Sequence, residues 1–387
     1  MKIAHLCLSC FYVDGFSYQE NELVRQHVRD GHDVVVIAST ESFGPDGKLA
    51  YVAPGEYMGT DQAKVIRLPY RRWVPARLQP KLRLHPGVYR TLVAERPDVI
   101  LFHGLCGWEL LAARRYKAAH PKTRFFADSH EDFNNSARSF ASKFLLHWSY
   151  YRPILGRALP LIDKVLCISD ETIAFVRDFY RVPASKIEFF PLGGTVLPDG
   201  EYFEARRAVR ALHGISDSHV LIVQSGKMDA QKKLLESLRA FVKNPSPLLR
   251  FLVVGHLQDD IAKEALALIN SDSRILFAGW KSASELQAIL CAADVYLQPG
   301  SQSATMQMSL CSRCAVILDD APSHKRYVDQ NGWLLNKDTT LDSVLEDIAL
   351  APQQAQRMAA HSHAFAARHL DYQMMARRIA GRAPEAQ

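Results

Sequence analysis

Two lysines, Lys227 and Lys232, stand five positions apart in SGKMDAQKKLLESLRAF (225–241), after an apolar strand-like run. Gly226 permits a tight turn before them. Leu234, Leu235, Leu238 and Phe241 then share one helical face. Two ammonium groups beside the N–H groups of a helix start suit a diphosphate; the plainer alternative is a pair of solvated lysines at a strand end. A second segment, PGSQSATMQMSL (299–310), is free of charge. It combines a bare backbone at Gly300 with Ser301, Gln302, Ser303 and Thr305. It is either an ordinary strand-to-helix turn or an anion cradle, in which Ser301 or Ser303 caps the helix and free N–H groups face phosphate or sugar.

Both segments need a scaffold that brings strand ends and helix starts to one place. Strand-like runs (KIAHLCLS, DVVVIAST, KVIRLP, DVILFHG, TRFFADS, KVLCIS, IEFFPLG) alternate with amphipathic stretches such as YQENELVRQHVRDG, where Leu23, Val24, His27 and Val28 share a face. The pattern restarts in HVLIVQSG, FLVVG, RILFAG, DVYLQPG and AVILDD, after PLGGTVLPDG (191–200), which reads as a linker. Continuous apolar runs separated by helices indicate an α/β chain of two Rossmann-like, doubly wound domains. The expected division is 1–192, 193–370, and a C-terminal helix (371–387) that crosses back to the first domain. The expected ligand site is a cleft between facing carboxyl ends of strands.

The 387 residues, 48% hydrophobic and 10% aromatic, suffice for two cores. No signal peptide is read at MKIAHLCLSC, and no run reaches the roughly 18 apolar residues of a membrane span. Seven scattered cysteines suit a reducing cytoplasm. The pairs Cys7/Cys10 and Cys311/Cys314 have zinc-like spacing but read as buried thiols, since i and i+3 on a strand face opposite ways. The net charge of +6 is concentrated in the first half. Residues 62–94 hold no acid but carry Lys64, Arg67, Arg71, Arg72, Arg77, Lys81, Arg83 and Arg90, with Trp73 among them. Residues 133–162 repeat this with Arg138, Lys143, Arg152 and Arg157 among Phe144, Trp148, Tyr150 and Tyr151. Such a surface, if not merely solvated, fits an anionic membrane or a lipid phosphate, with Arg71, Arg72, Trp73, Arg77, Lys143 and Trp148 as its contacts. Nucleic acid is disfavoured because no known module is present. A dinucleotide oxidoreductase is disfavoured because no G-x-G-x-x-G follows a strand.

Taken in order, GKMDAQKK, FLVVG ending at Gly255, RILFAG ending at Gly279, and ELQAILCAADVYLQPG with Glu285, Leu286, Ala293, Asp294, Pro299 and Gly300 follow a recognisable plan. So do DGFSYQENELVRQHVRDGHDVVVIAS, DVILFHG and FADSH in the first half. The chain resembles retaining nucleotide-sugar glycosyltransferases of family 4 type, which have the GT-B fold. The resemblance puts Lys227 and Lys232 at the family's Arg and Lys on the donor diphosphate, and Gly15, Gly226, Gly255 and Gly300 near the donor. It makes His130 the catalytic-site histidine of the first domain, with a structural histidine at a strand end as the alternative. His103, Glu131 and Asp132 become candidate acceptor contacts, although His103 is equally readable as a loop-shaping residue and the two acids as complements to a helix dipole.

The chain departs from the family where two glutamates normally hold the donor sugar and ribose. Its segment is shorter, so Ser303 falls near the first position and Gln307 or Met308 near the second, Gln307 being favoured because an amide can bond a diol. The resemblance implies transfer of a sugar from a UDP- or GDP-sugar to a hydroxyl of a glycan acceptor, lipid-linked in surface polysaccharide biosynthesis. It implies no metal and no cofactor beyond the donor substrate, and a cytoplasmic protein peripheral on the inner membrane face. The altered loop keeps two alternatives in view, a UDP-sugar epimerase of the same fold and a non-catalytic nucleotide-sugar-binding protein.

Overall fold

The computed structural model describes residues 1–44, 48–300 and 303–381. The chain divides into two compact units, Met1–Pro191 together with the chain from Met375 onward, and Leu192–Met374.

The first unit is built on β1 (Lys2–Cys7), β2 (Asp33–Ser39), the short antiparallel pair β3 (Glu41–Phe43) and β4 (Leu49–Tyr51), β5 (Gly55–Met58), β6 (Lys64–Leu68), β7 (Val99–Phe102), β8 (Arg124–Ser129), β9 (Lys164–Cys167) and β10 (Ile187–Phe189). Eight of these form one sheet in the order β10-β9-β8-β7-β1-β2-β6-β5, parallel except for β5 against β6. Alternate residues serve opposite faces. Ala4, Leu6, Ile37, Phe102 and Phe125 pack one core, while Cys7, Val34, Val36 and Val65 pack another with Val24. The helix Gln19–Arg29 begins with Glu20 and Glu22 and ends with His27 and Arg29, in the sense that complements its dipole. It stops where Gly31 adopts φ +77°.

The second unit has β11 (Val220–Met228), β12 (Leu249–Leu257), β13 (Ile275–Phe277), β14 (Val295–Gln298), β15 (Ala315–Asp319) and β16 (Gly332–Leu335), all parallel, in the order β13-β12-β11-β14-β15-β16. Ile222, Phe251, Val253, Val295 and Ile317 meet Leu234, Leu238 and Phe241 in its core. The helix Ala283–Ala292 starts with a reciprocal capping box between Ser282 and Glu285. Asp294 accepts the Leu221 amide at 2.7 Å and is held by Arg206 (2.5 Å) and Arg210 (3.1 Å) from the helix Asp199–Leu212. Two of the family-matched residues, Glu285 and Asp294, are therefore anchors of the fold. Within this unit Gly194 donates to the Leu370 carbonyl and accepts from the Tyr372 amide, tying its two ends together.

In both sheets the strand order reverses beside the opening strand, between β7 and β1 in the first and between β11 and β14 in the second. Helices leave on opposite faces at such a point, so the two neighbouring loops diverge at the carboxyl edge and leave a crevice.

Gly255, expected near the donor, is buried and pairs in register with Gly226. A Cβ at Gly255 would sit 1.9 Å from the Gly226 carbonyl oxygen, and its φ is +133°. Close approach of two strands by itself requires glycine at this position, whether or not a donor lies near it. Gly255→Ala should cost at least about 2 kcal/mol in urea unfolding, because backbone must move. Gly214→Ala, at φ +63° with nothing within 4 Å, should cost only about 1 kcal/mol from its left-handed conformation. Equal losses would show that the strand contact is not the cause.

Candidate active site

In the second unit, β11 runs through Gly226 and Lys227 into the short 3₁₀ turn Ala230–Lys232 and then the helix Leu234–Lys243. Asp229 caps the turn by accepting the Lys232 amide at 3.1 Å, and Gln224 Nε2 donates to the Lys232 carbonyl at 2.8 Å. Lys233, with φ +52°, turns the chain and pairs its ammonium with Asp319 at 2.6 Å. Lys227 is exposed and Lys232 half-buried. Burial pushes the Lys232 pKa down, against the pull of Asp229.

On the other side of the switch point, β14 ends at Gln298, Pro299 and Gly300. A Cβ on Gly300 (φ +111°) would lie 2.1 Å from the Gln231 carbonyl oxygen and 3.6 Å from the Lys232 Cα. The uncharged loop and the lysine turn are thus in backbone contact, which only glycine allows. Ser303 is the N-cap residue of the helix Ala304–Cys311, yet its hydroxyl donates to Gln298 Oε1 at 2.5 Å and does not cap that helix. No side chain among the described residues caps its first-turn N–H groups. Thr305 is half-buried on that turn. Ser301 and Gln302 lie outside the described residues.

Gln307 does not fill the role expected of it. It is buried, 3% exposed. With its amide turned to satisfy both ends, the nitrogen donates to the Ser303 carbonyl at 2.7 Å and the oxygen accepts from the Tyr327 hydroxyl at 3.2 Å. Its polar atoms are spent on the helix start, so a ribose contact is corrected to a structural role.

In the first unit, Gly15 (φ +78°) turns the exposed loop between β1 and the helix Gln19–Arg29. His103 and Gly104 follow β7, and Asp128 to Asp132 close β8. His130 is the exposed member, with Nε2 4.0 Å from Asp128 Oδ1. Glu131, half-buried, accepts from the Cys106 thiol (2.8 Å) and the Tyr180 hydroxyl (3.1 Å). Asp132 Oδ1 accepts the Asn134 and Asn135 amides at 2.7 and 2.8 Å, which makes it a local turn former. Both acids are held by their own chain before any acceptor arrives.

His103, read as an acceptor contact, is 3% exposed. Its Nδ1 lies 2.6 Å from Asp128 Oδ2 and its Nε2 3.0 Å from His5 Nδ1. His5 Nε2 lies 3.0 Å from His27 Nδ1, and His27 Nε2 lies 3.1 Å from the Ala376 carbonyl. Burial of both ring nitrogens removes His103 from ligand contact and makes it the first link of a file. The file has four hydrogen bonds and ends on a carboxylate and a carbonyl, both acceptors only. Three neutral imidazoles supply three N–H groups, so a fourth proton is required and the file carries one positive charge opposite Asp128. Burial alone would lower the His103 pKa, but the Asp128 carboxylate overrides it and raises it to about 10. Burial, with no such partner, lowers His27 to about 4 and His5 well below its usual value. The charge therefore resides on His103. Cys7, Glu20 and His32 also face the file. Sequence reading missed His5 and Asp128 as site residues and left His27 as a face-sharing residue. The available signal was a polar side chain at an otherwise apolar strand or helix position.

Cys106, Glu131 and His147 bring one ligand atom each within 4.8 Å of one another, a constellation the sequence did not suggest. Thiol and Tyr180 hydroxyl donate to Glu131, and His147 Nδ1 lies 2.7 Å from that hydroxyl, so the bonds close on themselves. The Arg83 guanidinium, bonded to the Cys106 carbonyl at 2.8 Å, adds a positive charge beside them that opposes a dication.

The two acid-free tracts meet in this unit. Tyr150 donates to the Leu82 carbonyl at 2.9 Å and Tyr151 to that of Lys81. Arg71, Arg72, Arg77 and Lys143 are exposed, as are Trp73 (72%) and Trp148 (53%). Phe140, Phe144, Leu145 and Trp148 share one exposed face of the wide, π-type helical segment Ala141–Tyr151 and its N-cap.

Residues 15–193 match the Glycosyltransferase Family 4 profile. The two-sheet α/β architecture is that of the GT-B fold. Similar solved structures include HepE of Anabaena with UDP and glucose, at 15% identity over 98% of each chain and a TM-score of 0.58. A glycosyltransferase from Rickettsia africae is 12% identical over 98% of this chain and 97% of that one, with a TM-score of 0.66. WaaG, a glycosyltransferase involved in lipopolysaccharide biosynthesis, is 16% identical over 99% of this chain and 100% of that one, with a TM-score of 0.58. At such identities the likeness is one of fold. No curated protein matches by sequence.

In the first unit the His103–Asp128 pair links stability to pH. The His103 pKa is raised from 6.5 to about 10, so its contribution is full below about 6.5 and is lost as pH climbs through about 10. Urea unfolding should show stability falling between pH 7 and 10, with that slope flattened in Asp128→Asn. An unchanged slope in the variant would remove the charged file.

Proposed function

We propose that the protein is a retaining glycosyltransferase that moves a sugar from a UDP- or GDP-sugar to a hydroxyl of a lipid-linked glycan acceptor in surface polysaccharide biosynthesis, with no resident metal or cofactor. The observation that carries this reading is the backbone contact of Gly300 with Gln231, which sets the Lys227–Lys232 turn against the start of the helix Ala304–Cys311, where no side chain among the described residues caps the first-turn N–H groups. Two ammonium groups beside those N–H groups supply what a departing diphosphate needs as negative charge builds on it. Partial burial of Lys232 strengthens its attraction to an anion. The acceptor oxygen bonds to the anomeric carbon as the bond from that carbon to the diphosphate oxygen breaks. The hydroxyl proton passes to the leaving phosphate on the same face, so the configuration is retained without a protein base. His130, open at the carboxyl edge of the first unit, contacts the sugar or acceptor.

The fold likeness to HepE, whose crystal structures contain UDP and UDP-glucose, favours UDP as the nucleotide. The likeness to WaaG favours a glycan of the cell surface. No helix among the described residues is long and apolar enough to cross a membrane. Membrane contact in this reading is peripheral, at the cytoplasmic face, through Arg71, Arg72, Trp73, Arg77, Lys143 and Trp148.

The test is turnover of a panel of UDP- and GDP-sugars by the purified protein, read as donor hydrolysis or transfer. Lys232→Ala should lower kcat/KM by roughly 10²- to 10³-fold, the usual loss for one donor to a developing anion. Unchanged kcat/KM would remove the diphosphate assignment. An epimerised UDP-sugar formed without acceptor would replace transfer by epimerisation, and donor binding without turnover would make the protein a binder.

For the membrane reading, cosedimentation with vesicles containing phosphatidylserine should fall several-fold in Lys143→Ala/Trp148→Ala and at high salt. Equal binding to neutral vesicles would count against an anionic surface.

A further inference from the structure

The first unit holds a pocket of about 540 Å³ between the starts of two helices, Val88–Glu95 and Leu110–Ala119. That volume suits one sugar-sized ligand. The first helix follows the long connection after β6 and the second the loop after β7. Three guanidinium groups line it, from Arg71, Arg90 and Arg115, all exposed. None has a carboxylate within ion-pair distance among the described residues. Arg115 is pinned by stacking over the Tyr89 ring, 4.1 Å from its centroid, which limits the entropy lost when it binds. Trp108, 41% exposed, contributes an indole to the wall and stacks at 15° against Tyr150 of the segment Ala141–Tyr151.

The one acid in the wall does not cancel this charge. Glu109 is 5% exposed, accepts the His85 amide at 2.8 Å, and is pushed up by burial to about 7. His85 itself is 1% exposed, with neither ring nitrogen at hydrogen-bond geometry to a partner. Neither helix start bears a side-chain cap, so their N–H groups add positive potential at the same place. Arg71 faces the buried Glu109, which is only partly ionised near neutral pH, so the site keeps a net positive charge that an anion relieves.

We propose that this pocket binds a phosphate-bearing acceptor, with the phosphate on Arg71, Arg90 and Arg115 and the apolar face of the sugar or prenyl group against Trp108. The inference rests on the transfer reading only in calling the ligand an acceptor. Planar guanidinium groups match phosphate in two-point contacts, and an indole covers the C–H face of a pyranose or an isoprene chain equally well. The stacking of Trp108 on Tyr150 joins the pocket to the exposed apolar segment.

Calorimetry on the full chain with glucose, glucose 6-phosphate and farnesyl phosphate tests it. At least one phosphate should bind ten or more times tighter than glucose, and Arg90→Gln/Arg115→Gln should weaken that ligand at least tenfold while leaving UDP affinity and thermal stability as they are. Trp108→Ala should weaken it several-fold. Preference for glucose 6-phosphate places the anion on the sugar, and preference for farnesyl phosphate places it on the lipid carrier. Equal affinity for glucose and both phosphates, or phosphate binding untouched in the double variant, overturns the proposal. UDP binding and donor turnover are separate readouts, so failure here leaves the transfer reading standing, and failure of turnover leaves this pocket standing.

Discussion

Parallel pairing sends the loop that follows every strand to one edge of its sheet, because each strand must be followed by a helix that returns over a face. In this protein that constraint acts twice, once in each unit. The reversal of strand order beside β1 and beside β11 then separates two of those loops and leaves room between them. Lys227 and Lys232 on one side of the second reversal, and Gly300 with the helix Ala304–Cys311 on the other, are neighbours only because of this. The glycine completes the arrangement. Any side chain at position 300 would strike the Gln231 carbonyl and push the lysine turn away.

The same chain shows how differently family-like residues behave once folded. Asp294 fastens the start of β11 to β14 and is neutralised by Arg206 and Arg210. Glu285 completes a capping box. Gln307 ties down the first turn of its own helix. The described part of this loop presents hydroxyl and backbone groups and no carboxylate. Beside that loop stand Lys227, Lys232 near Asp229, and Lys233 paired with Asp319.

The first unit depends on buried polar structure. A carboxylate buried beneath the edge at Asp128 is tolerable because His103 and the Gly104 amide face its two oxygens. The counter-charge stays on His103, and the hydrogen bonds it orients run through His5 and His27 to the Ala376 carbonyl, so the C-terminal helix is tied to the same file. Glu131 is fixed by a thiol and a phenol. The result is an edge whose acids are oriented in advance, with His130 left open to solvent.

Much of this was legible in the sequence for simple physical reasons. Apolar runs such as DVVVIAST and HVLIVQSG, doubly buried, had to be parallel strands, and their restart after PLGGTVLPDG required two α/β units. Lys227, Lys232 and Gly300 could be singled out because they fall in two turns that follow strand-like runs, and the fold brings those two turns into backbone contact. The roles of His103, Gly255 and Gln307 were not visible. Whether a polar group meets a ligand or its own chain depends on which atoms, from 4 to 349 positions away in the cases of Gln307 and His27, pack beside it. The charge of the histidine file is the clearest case. No single histidine encodes it, and it follows only once Asp128 and the Ala376 carbonyl stand at opposite ends, because two acceptors at the ends of three imidazoles demand a fourth proton.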